Sequence, residues 1–360
     1  MHPLGMNLYQ LAKPVLFSLD PEKAHHLTLH LTSLMPQLAC LWASPPSERL
    51  SSTHWGQNFS SPLGLAAGLD KNAQSLDFFA RLGLGALECG TVTPKPQIGN
   101  PLPRMFRYPE ESSLRNSMGF PNDGAEQLSH RLLSRPVSAR LGVNIGKSKE
   151  ATPLEAIDEY RELYDLFAPQ SDWVTVNISS PNTQGLRDLQ NQKWLASLLQ
   201  ELISLRERHR TPLLVKLSPD MPDEELRIVT QTLINHRVDG IIATNTTHMP
   251  ERGIGGVSGK LLRVKAHQKR KFILDLCLES RTPVVGVGGI ESFEDILGFW
   301  AGGGTLFQIY TAFVFHGPAL VGQLHRAMDQ FLQRAQLKNL DAFFALPLIE
   351  RQRVIGHYGR

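Results

Sequence analysis

The 360-residue chain has few cysteines, little net charge and no long apolar run. Its three cysteines, Cys40, Cys89 and Cys277, are far apart, so we expect neither disulfides nor a metal site, and a reducing compartment. A net charge of +3, without basic runs interleaved with aromatics, argues against nucleic-acid binding. No apolar run reaches the roughly 20 residues that span a bilayer, and the N-terminus does not resemble a signal peptide.

Residues 1–44 predict an apolar helical segment. Asp20 followed by Pro21 predicts the start of a helix that ends near residue 35. Apolar residues recur along the segment at near-helical spacing: Leu8, Leu11, Val15, Leu19, Leu27, Leu31, Leu34, Met35, Leu38, Leu41 and Trp42. Two interpretations remain open, a helical hairpin packed on the main domain or an apolar hairpin that enters a membrane interface. Because its charges nearly cancel, membrane binding would be hydrophobic.

From residue 60 onwards, short apolar runs alternate with helical patterns. Eight runs predict strands, at 63–68, 85–92, 141–146, 173–179, 213–218, 240–245, 284–289 and 306–310. Helices are predicted at 153–167, 190–208, 222–235 and 291–301. Eight strands with intervening helices favour a (β/α)8 TIM barrel over a doubly wound sheet. A long irregular stretch, 93–122, follows the second strand and is typical of an active-site lid.

Polar residues end six of the predicted strands. In a (β/α)8 barrel the active site lies at these carboxyl ends, so the six side chains should meet on one rim. They are Lys71, Thr91, Asn144, Asn177, Lys216 and Asn245. The glycine turn "GVGG" at 286–289 opens a helix and, with Tyr310 and Thr311 after strand eight, predicts a phosphate site. Two lysines, paired amides and a phosphate site suggest an enzyme that uses flavin mononucleotide (FMN) on a small heterocycle.

Ten segments between residues 60 and 318 resemble dihydroorotate dehydrogenase, in that family's order. They are "GLAAGLDKN", "GTVTPKPQIGNPLPRMFR", "NSMGFPNDG", "VNIGKSK", "VNISSPNTQGLR", "VKLSPD", "IATNTT", "GGVSGK", "VVGVGGI" and "QIYTAFVFHGP". Class 1 members use a cysteine base, whereas the matching position here is Ser180, which resembles class 2. The segment "YQLAKPVLFSLDPEKAHHLTLHLTSL" is similar to the class 2 extension, which forms a quinone tunnel against the membrane.

The resemblance implies specific residue roles. Ser180 would be the catalytic base that takes a proton from C5 of dihydroorotate, with Thr183 and Thr246 as candidate relays. The cofactor-binding residues would be Ala67, Gly68, Leu69, Asp70, Lys71, Thr91, Asn144, Asn177, Lys216, Thr244, Gly259, Gly289, Tyr310 and Thr311. The substrate-binding residues would be Lys71, Asn116, Ser117, Met118, Gly119, Phe120, Asn177, Asn182, Asn245 and Thr246. His25 and Arg107 would line the quinone passage.

The resemblance implies three regions and a location. Residues 1–44 would form the membrane and quinone segment and residues 45–336 the FMN-binding barrel, with one FMN per chain; residues 337–360 have no assigned role. The protein would oxidise dihydroorotate to orotate in pyrimidine biosynthesis, passing electrons to a membrane quinone from the cytoplasmic side of the cell membrane. Two features depart from the family pattern, Ser117 in place of arginine and a short loop at 247–256.

Two other functions are open to a barrel of this kind. One is a lyase or isomerase acting on a sugar phosphate, and the other is a non-catalytic flavin or metabolite sensor at a membrane. A flavin absorption band would exclude the first, and quinone-dependent turnover would exclude the second.

We predict that Ser180→Ala slows flavin reduction by ~10²–10⁴-fold while flavin stays bound, because general-base catalysis contributes about that much. Stopped-flow recording of flavin bleaching measures the rate. Near-normal reduction in the alanine variant would remove Ser180 from the role of base.

Overall fold

Eight parallel strands form a closed barrel in the computed structural model, which describes residues 3–134, 138–179 and 192–359, with side chains from residue 8 onwards. All fourteen strands of the described ranges are β1 Ser52–His54, β2 Gln57–Phe59, β3 Leu63–Leu65, β4 Ala86–Val92, β5 Met105–Tyr108, β6 Ser113–Asn116, β7 Arg140–Ile145, β8 Trp173–Asn177, β9 Leu213–Leu217, β10 Gly240–Ala243, β11 Thr247–His248, β12 Gly256–Gly259, β13 Val284–Val287 and β14 Phe307–Ile309. The barrel runs in chain order through β3, β4, β7, β8, β9, β10, β13 and β14, and β14 pairs with β3. All eight predicted strands are confirmed, and closure excludes the doubly wound sheet.

Helices follow the strands around the outside of the barrel. Those of the described ranges are α1 Pro3–Ser18, α2 Pro21–Leu34, α3 Leu76–Arg81, α4 Ala125–Leu132, α5 Pro153–Phe167, α6 Gln192–His209, α7 Asp223–Asn235, α8 Arg263–Cys277, α9 Phe293–Ala301, α10 Thr311–His316, α11 Ala319–Arg334, α12 Leu340–Phe344 and α13 Leu348–Tyr358. The four predicted barrel helices are α5, α6, α7 and α9, each within two residues of its predicted bounds. Thr152 and Ser292 form capping boxes that begin α5 and α9.

An aromatic cluster closes the amino-terminal end of the barrel. The hairpin of β1 and β2 carries Trp55 and Phe59, and both rings lie about 6 Å from the ring of Trp173 at the start of β8. The indole of Trp55 donates to the carbonyl of Asp239 at 2.7 Å. This end is therefore filled with side chains, which leaves the carboxyl end for a site.

A second, antiparallel sheet covers the carboxyl ends of the barrel strands. Its order is β11, β12, β6 and β5, so residues from 105–116 pair with residues from 247–259. The prediction of an irregular stretch at 93–122 was therefore wrong in part, because it contains β5 and β6. Strands of four residues carry little pattern of their own. Strand β5 pairs with its neighbour β6, and β6 pairs with β12, which is distant in sequence.

The N-terminal helices form the predicted hairpin. Asp20 caps α2 by accepting hydrogen bonds from the backbone of Glu22 and Lys23, as the sequence predicts. Helix α2 packs against α3 and β5; it buries Ala24 and Leu29, and Leu29 belongs to the main hydrophobic core. Among residues 8–44, whose side chains the structure describes, nine large apolar residues are exposed: Leu8, Leu11, Val15, Leu19, Leu27, Leu31, Leu34, Met35 and Leu41. The apolar stripe thus faces away from the barrel. In the described ranges no helix has both the length and the apolarity needed to cross a membrane.

The C-terminal residues pack on the outside of the barrel. Phe343 of α12 is fully buried against Trp300 of α9 and Phe331 of α11. The carboxylate of Asp341 accepts a hydrogen bond from the backbone of Thr53 at 2.8 Å. Residues 337–359, for which the sequence predicts no role, thus contribute to the packing of the fold.

Two glycine-to-alanine substitutions test how tightly the barrel is packed. A Cβ at Gly142 in β7 would lie 2.0 Å from the indole of Trp173, whereas a Cβ at Gly298 in α9 would have no neighbour closer than 3.8 Å. Gly142→Ala should lower the free energy of unfolding by about 1–3 kcal/mol or more through overpacking. Gly298→Ala, the matched control, should raise it by about 0.5–1 kcal/mol through helix propensity. Denaturant unfolding measures both, and equal effects would contradict the packing described.

Candidate active site

A cleft of about 1160 Å³, including its open mouth, lies between the carboxyl ends of the barrel strands and the covering sheet. Its walls come from the turns after the strands and from β5, β6 and β12. Of the residues predicted for a site, those that line it are Ala67, Gly68, Lys71, Thr91, Asn116, Met118, Gly119, Phe120, Asn177, Lys216, Thr244, Asn245, Thr246, Gly259, Gly289, Tyr310 and Thr311. The fold therefore brings together side chains from across some 240 residues of sequence.

A hydrogen-bonded network forms the floor of the cleft. The hydroxyl of Thr91 donates to the Asn144 side-chain oxygen at 2.5 Å and accepts from the amide of Asn177 at 2.9 Å. The carboxylate of Glu88 accepts from the amides of Asn144 and Gln308, both at 2.7 Å. All of these residues are buried, so each polar group is oriented by its partner.

Glu88 and Gln308 are site residues that the sequence patterns above do not predict. Glu88 lies inside β4 and is only 1% exposed. An acidic residue in the middle of the apolar run "GALECGTV" was the available signal, because an acid is almost never fully buried without a partner. Asn144, predicted as a cofactor contact, lies in this network and outside the lining of the cleft.

Two lysines bring positive charge to the cleft. Burial lowers the pKa of Lys216 below its usual value, and the nearby carboxylate of Glu88 opposes that shift. Burial also lowers the pKa of Lys71, to about 8; the charge of Glu22 opposes this shift, and Arg104 adds to it. Buried lysines whose positive charge is supported by nearby carboxylates suit an anionic ligand or a ring that gains negative charge.

Unpaired polar atoms and glycine turns indicate that the cleft suits a flavin. Within the described residues, the hydroxyl of Thr244 and the side-chain oxygen of Gln308 are buried without a hydrogen-bond partner, and both residues line the cleft. Gly68 and Gly289 adopt φ angles of +99° and +68°, and a Cβ at Gly289 would lie 2.4 Å from the Arg263 backbone. A ligand with polar edges would satisfy the two unpaired atoms. Gly289 is required where its turn packs against the Arg263 backbone, and the positive φ angles shape the turns at the edge of the cleft.

The end of β8 is held in place by amide groups. The hydroxyl of Ser179 donates to the side-chain oxygen of Asn177 at 2.9 Å and accepts from the amide of Asn245 at 3.0 Å. Ser180, Asn182 and Thr183 lie outside the described residues. Asn177 and Asn245, which line the cleft, therefore fix Ser179, the residue that precedes the predicted base in sequence.

Three further predicted residues lie outside the lining. The carboxylate of Asp70 accepts from the backbone of Gln74 and Ser75 and so shapes the turn after β3. Leu69 belongs to the buried core. Ser117 donates its backbone N–H to the carbonyl of Arg104 at 2.8 Å, beside the lining residues 116 and 118.

His25 belongs to α2 and Arg107 to β5, two elements that pack against each other where the hairpin meets the covering sheet. Burial lowers the pKa of His25 to about 3, with Lys71 adding to the shift, so its imidazole is neutral near pH 7. The guanidinium of Arg107 donates to the carbonyls of Leu16 and Phe17 at the end of α1, at 3.2 and 2.9 Å. Arg107 therefore caps α1, a role that the sequence does not predict.

The fold and the cleft define a (β/α)8-barrel enzyme with its site at the carboxyl ends of the strands. Among the described residues, no cluster of His, Cys, Asp and Glu could hold a metal ion. The model of the dihydroorotate dehydrogenase family matches residues 49–332. The chain belongs to the dihydroorotate dehydrogenase family, which makes it a flavin-dependent oxidoreductase.

Individual relatives cover nearly the whole chain. A protein of Marinomonas sp. (strain MWYL1), named dihydroorotate dehydrogenase (quinone), is 40% identical and is matched over 92% of this chain and 99% of its own length. A protein of the same name from Idiomarina loihiensis is 41% identical over 87% of this chain and 98% of its own. The crystal structure of DHODH from Eimeria tenella in complex with ferulenol superposes with a TM-score of 0.82 at 30% identity, covering 92% of this chain and 96% of that one.

The lowered pKa of Lys71 predicts a pH-dependent stability. Between pH 8 and 10.5 the unfolded chain binds this proton more strongly than the folded chain, so the stability contribution of Lys71 rises with pH across that window. Lys71→Met should therefore be more stable than the wild type at pH 7, and its advantage should shrink by up to about 1.4 kcal/mol per pH unit above pH 8. Denaturant unfolding of ligand-free protein checks this, with exposed Lys95→Met as the control. A constant difference between Lys71→Met and wild type across the window would contradict it.

Proposed function

We propose that this protein oxidises dihydroorotate to orotate in pyrimidine biosynthesis and passes the electrons through FMN to a membrane quinone. The observation that carries the proposal is the single cleft in which Lys71, Lys216 and the amides of Asn116, Asn177 and Asn245 converge. Orotate is a planar anion with amide edges, so lysines and paired amides are the side chains that recognise it. The relatives from Marinomonas and Idiomarina carry the name of the quinone-dependent enzyme.

One FMN per chain would occupy the inner part of the cleft. Gly259, Gly289, Tyr310 and Thr311 would hold its phosphate, and the floor residues together with Lys216 would hold its ring. When bound, FMN supplies the acceptor for the hydride from C6 of dihydroorotate. The positive charge of Lys216 would stabilise negative charge that develops beside it.

The substrate would lie between the floor and the covering sheet. Asn116 and residues 118–120 enter from the sheet, while Asn177 and Asn245 enter from the barrel, so the amides surround one volume. The backbone of residue 117 and the side chains of Asn182 and Thr246 complete the proposed set. Ser180 would take the proton from C5, with the preceding Ser179 held by two amides. Burial beneath the sheet would exclude water from this proton transfer.

The N-terminal segment, residues 1–44, would form the quinone entrance, and residues 45–336 would carry catalysis. His25 and Arg107 would line the passage between them. The exposed apolar stripe of the hairpin would lie in the membrane interface, on the cytoplasmic side, which makes the association peripheral. A stripe of nine exposed large apolar residues is otherwise costly on a protein surface.

The visible spectrum of the purified protein tests the function directly. We expect a flavin absorption band that bleaches when dihydroorotate is added without air and returns when a quinone is added. Absence of flavin would favour a sugar-phosphate lyase or isomerase. Flavin that dihydroorotate does not bleach would favour a sensor.

A double substitution tests the membrane face. Leu11 and Val15 are 73% and 65% exposed on α1, so Leu11→Gln with Val15→Gln should weaken binding to lipid vesicles while flavin reduction by dihydroorotate stays unchanged. Each apolar side chain buried in the membrane contributes about 1.5–3 kcal/mol to binding, so the double substitution should lower the partition coefficient into vesicles at least tenfold. Leu154→Gln, equally exposed but on α5, is the control. Vesicle sedimentation at low and high salt measures the partition, and equal binding by both variants would reject this face.

A further inference from the structure

A buried ion pair joins the hairpin to the segment that precedes the covering sheet. Glu22 lies in the first turn of α2, Arg104 lies directly before β5, and both are less than 9% exposed. Arg104 Nη2 donates to Glu22 Oε1 at 2.7 Å, and Arg104 Nε donates to Oε1 and Oε2 at 3.0 and 3.1 Å. A guanidinium fork on a carboxylate fixes orientation as well as distance. Removing one partner would leave the other charge buried and unpaired.

Arg104 also holds the loop that carries the proposed substrate residues. Its Nη1 donates to the carbonyls of Ile98 and Asn100, at 2.6 and 2.9 Å, and its own carbonyl accepts from the backbone of Ser117 at 2.8 Å. Asn100 in turn donates its backbone N–H to the carbonyl of Met118 at 2.9 Å and its amide to the carbonyl of Ser117 at 3.0 Å. Hydrogen bonds thus run without interruption from Glu22 to residues 117 and 118.

The same pair acts on the charge of the cleft. The negative charge of Glu22 raises the pKa of Lys71 against the effect of burial, and the positive charge of Arg104 lowers it. Glu22 therefore supports a cleft lysine electrostatically in addition to its mechanical link to the loop. The hydrogen bonds and the charge of Glu22 thus both link the hairpin to residues proposed to bind dihydroorotate.

We propose that Glu22 is a positioning residue for dihydroorotate, acting through Arg104 on the loop of residues 116–120. The proposal rests on the function proposed above. It gives the hairpin a second task besides quinone access: the hairpin orders the loop that closes over the substrate. Loss of the pair would allow the loop to populate other arrangements, and dihydroorotate would bind only to the fraction that remains ordered.

Rapid reaction kinetics of the FMN-loaded full-length protein separate the two tasks. In Glu22→Gln the dihydroorotate concentration that half-saturates anaerobic flavin reduction should rise about fivefold or more, the low end of typical coupling between linked sites. The limiting rate at saturation and reoxidation by a short-chain quinone should be unchanged. Lys23→Gln, on the exposed neighbour of Glu22, is the matched control and should behave as wild type.

A second variant and a binding measurement make the test independent of catalysis. Arg104→Lys keeps the positive charge but loses the two-nitrogen contact of the guanidinium with Glu22. It should therefore weaken the binding of dihydroorotate, as Glu22→Gln does. Combined with Glu22→Gln it should add little further effect, because the two residues act as one unit. Calorimetric titration with orotate should show the same losses of affinity in each variant, without turnover.

The outcomes distinguish this proposal from the function on which it rests. Unchanged affinity for dihydroorotate and orotate in both Glu22→Gln and Arg104→Lys would overturn it, and so would slow quinone reoxidation as the sole effect. A wild-type protein whose flavin is not reduced by dihydroorotate would instead overturn the proposed function. Weaker binding of dihydroorotate and orotate, together with normal reoxidation by quinone, would establish the positioning role.

Discussion

A carboxylate buried inside the barrel is the constraint on which the site depends. Glu88 is inaccessible to water, so its negative charge must be met by donors, and the amides of Asn144 and Gln308 provide them. Asn144 then orients Thr91, and Thr91 orients Asn177. One charge on β4 thereby sets the direction of polar side chains on β7, β8 and β14. It also opposes the loss of positive charge from Lys216.

The cleft has a rigid floor and a separately built roof. The floor belongs to the parallel barrel, whose strands are buried except for Arg140 and whose far end is filled by aromatic side chains. The roof belongs to an antiparallel sheet made from two insertions, and its ordering relies on contacts such as Arg104 with the backbone of residues 98–100. Floor and roof therefore depend on different sets of contacts.

The hairpin presents two chemically different faces. Its outer face is apolar and exposed, whereas its inner face carries a buried carboxylate, Glu22, paired with Arg104. The end of α1 is tied to the sheet by Arg107, and its middle is tied to α10 by Lys13, whose ammonium donates to the carbonyl of Phe315 at 2.8 Å. A segment this firmly attached on one side and this apolar on the other holds an exposed apolar surface close to the cleft.

The sequence by itself determined the features that depend on local pattern. Alternating strands and helices predicted the barrel, and Asp20 and Pro21 predicted the start of α2. Five of the six polar strand ends line the cleft, as predicted; Asn144 does not. Only the tertiary structure decided which distant groups meet: the pairing of β6 with β12, the partners of Glu88, and the contact of Glu22 with Arg104, 82 residues away. Periodicity and capping act within a few residues, whereas burial and pairing of charges follow from closure of the whole barrel. Ser180 stays a prediction from the family resemblance.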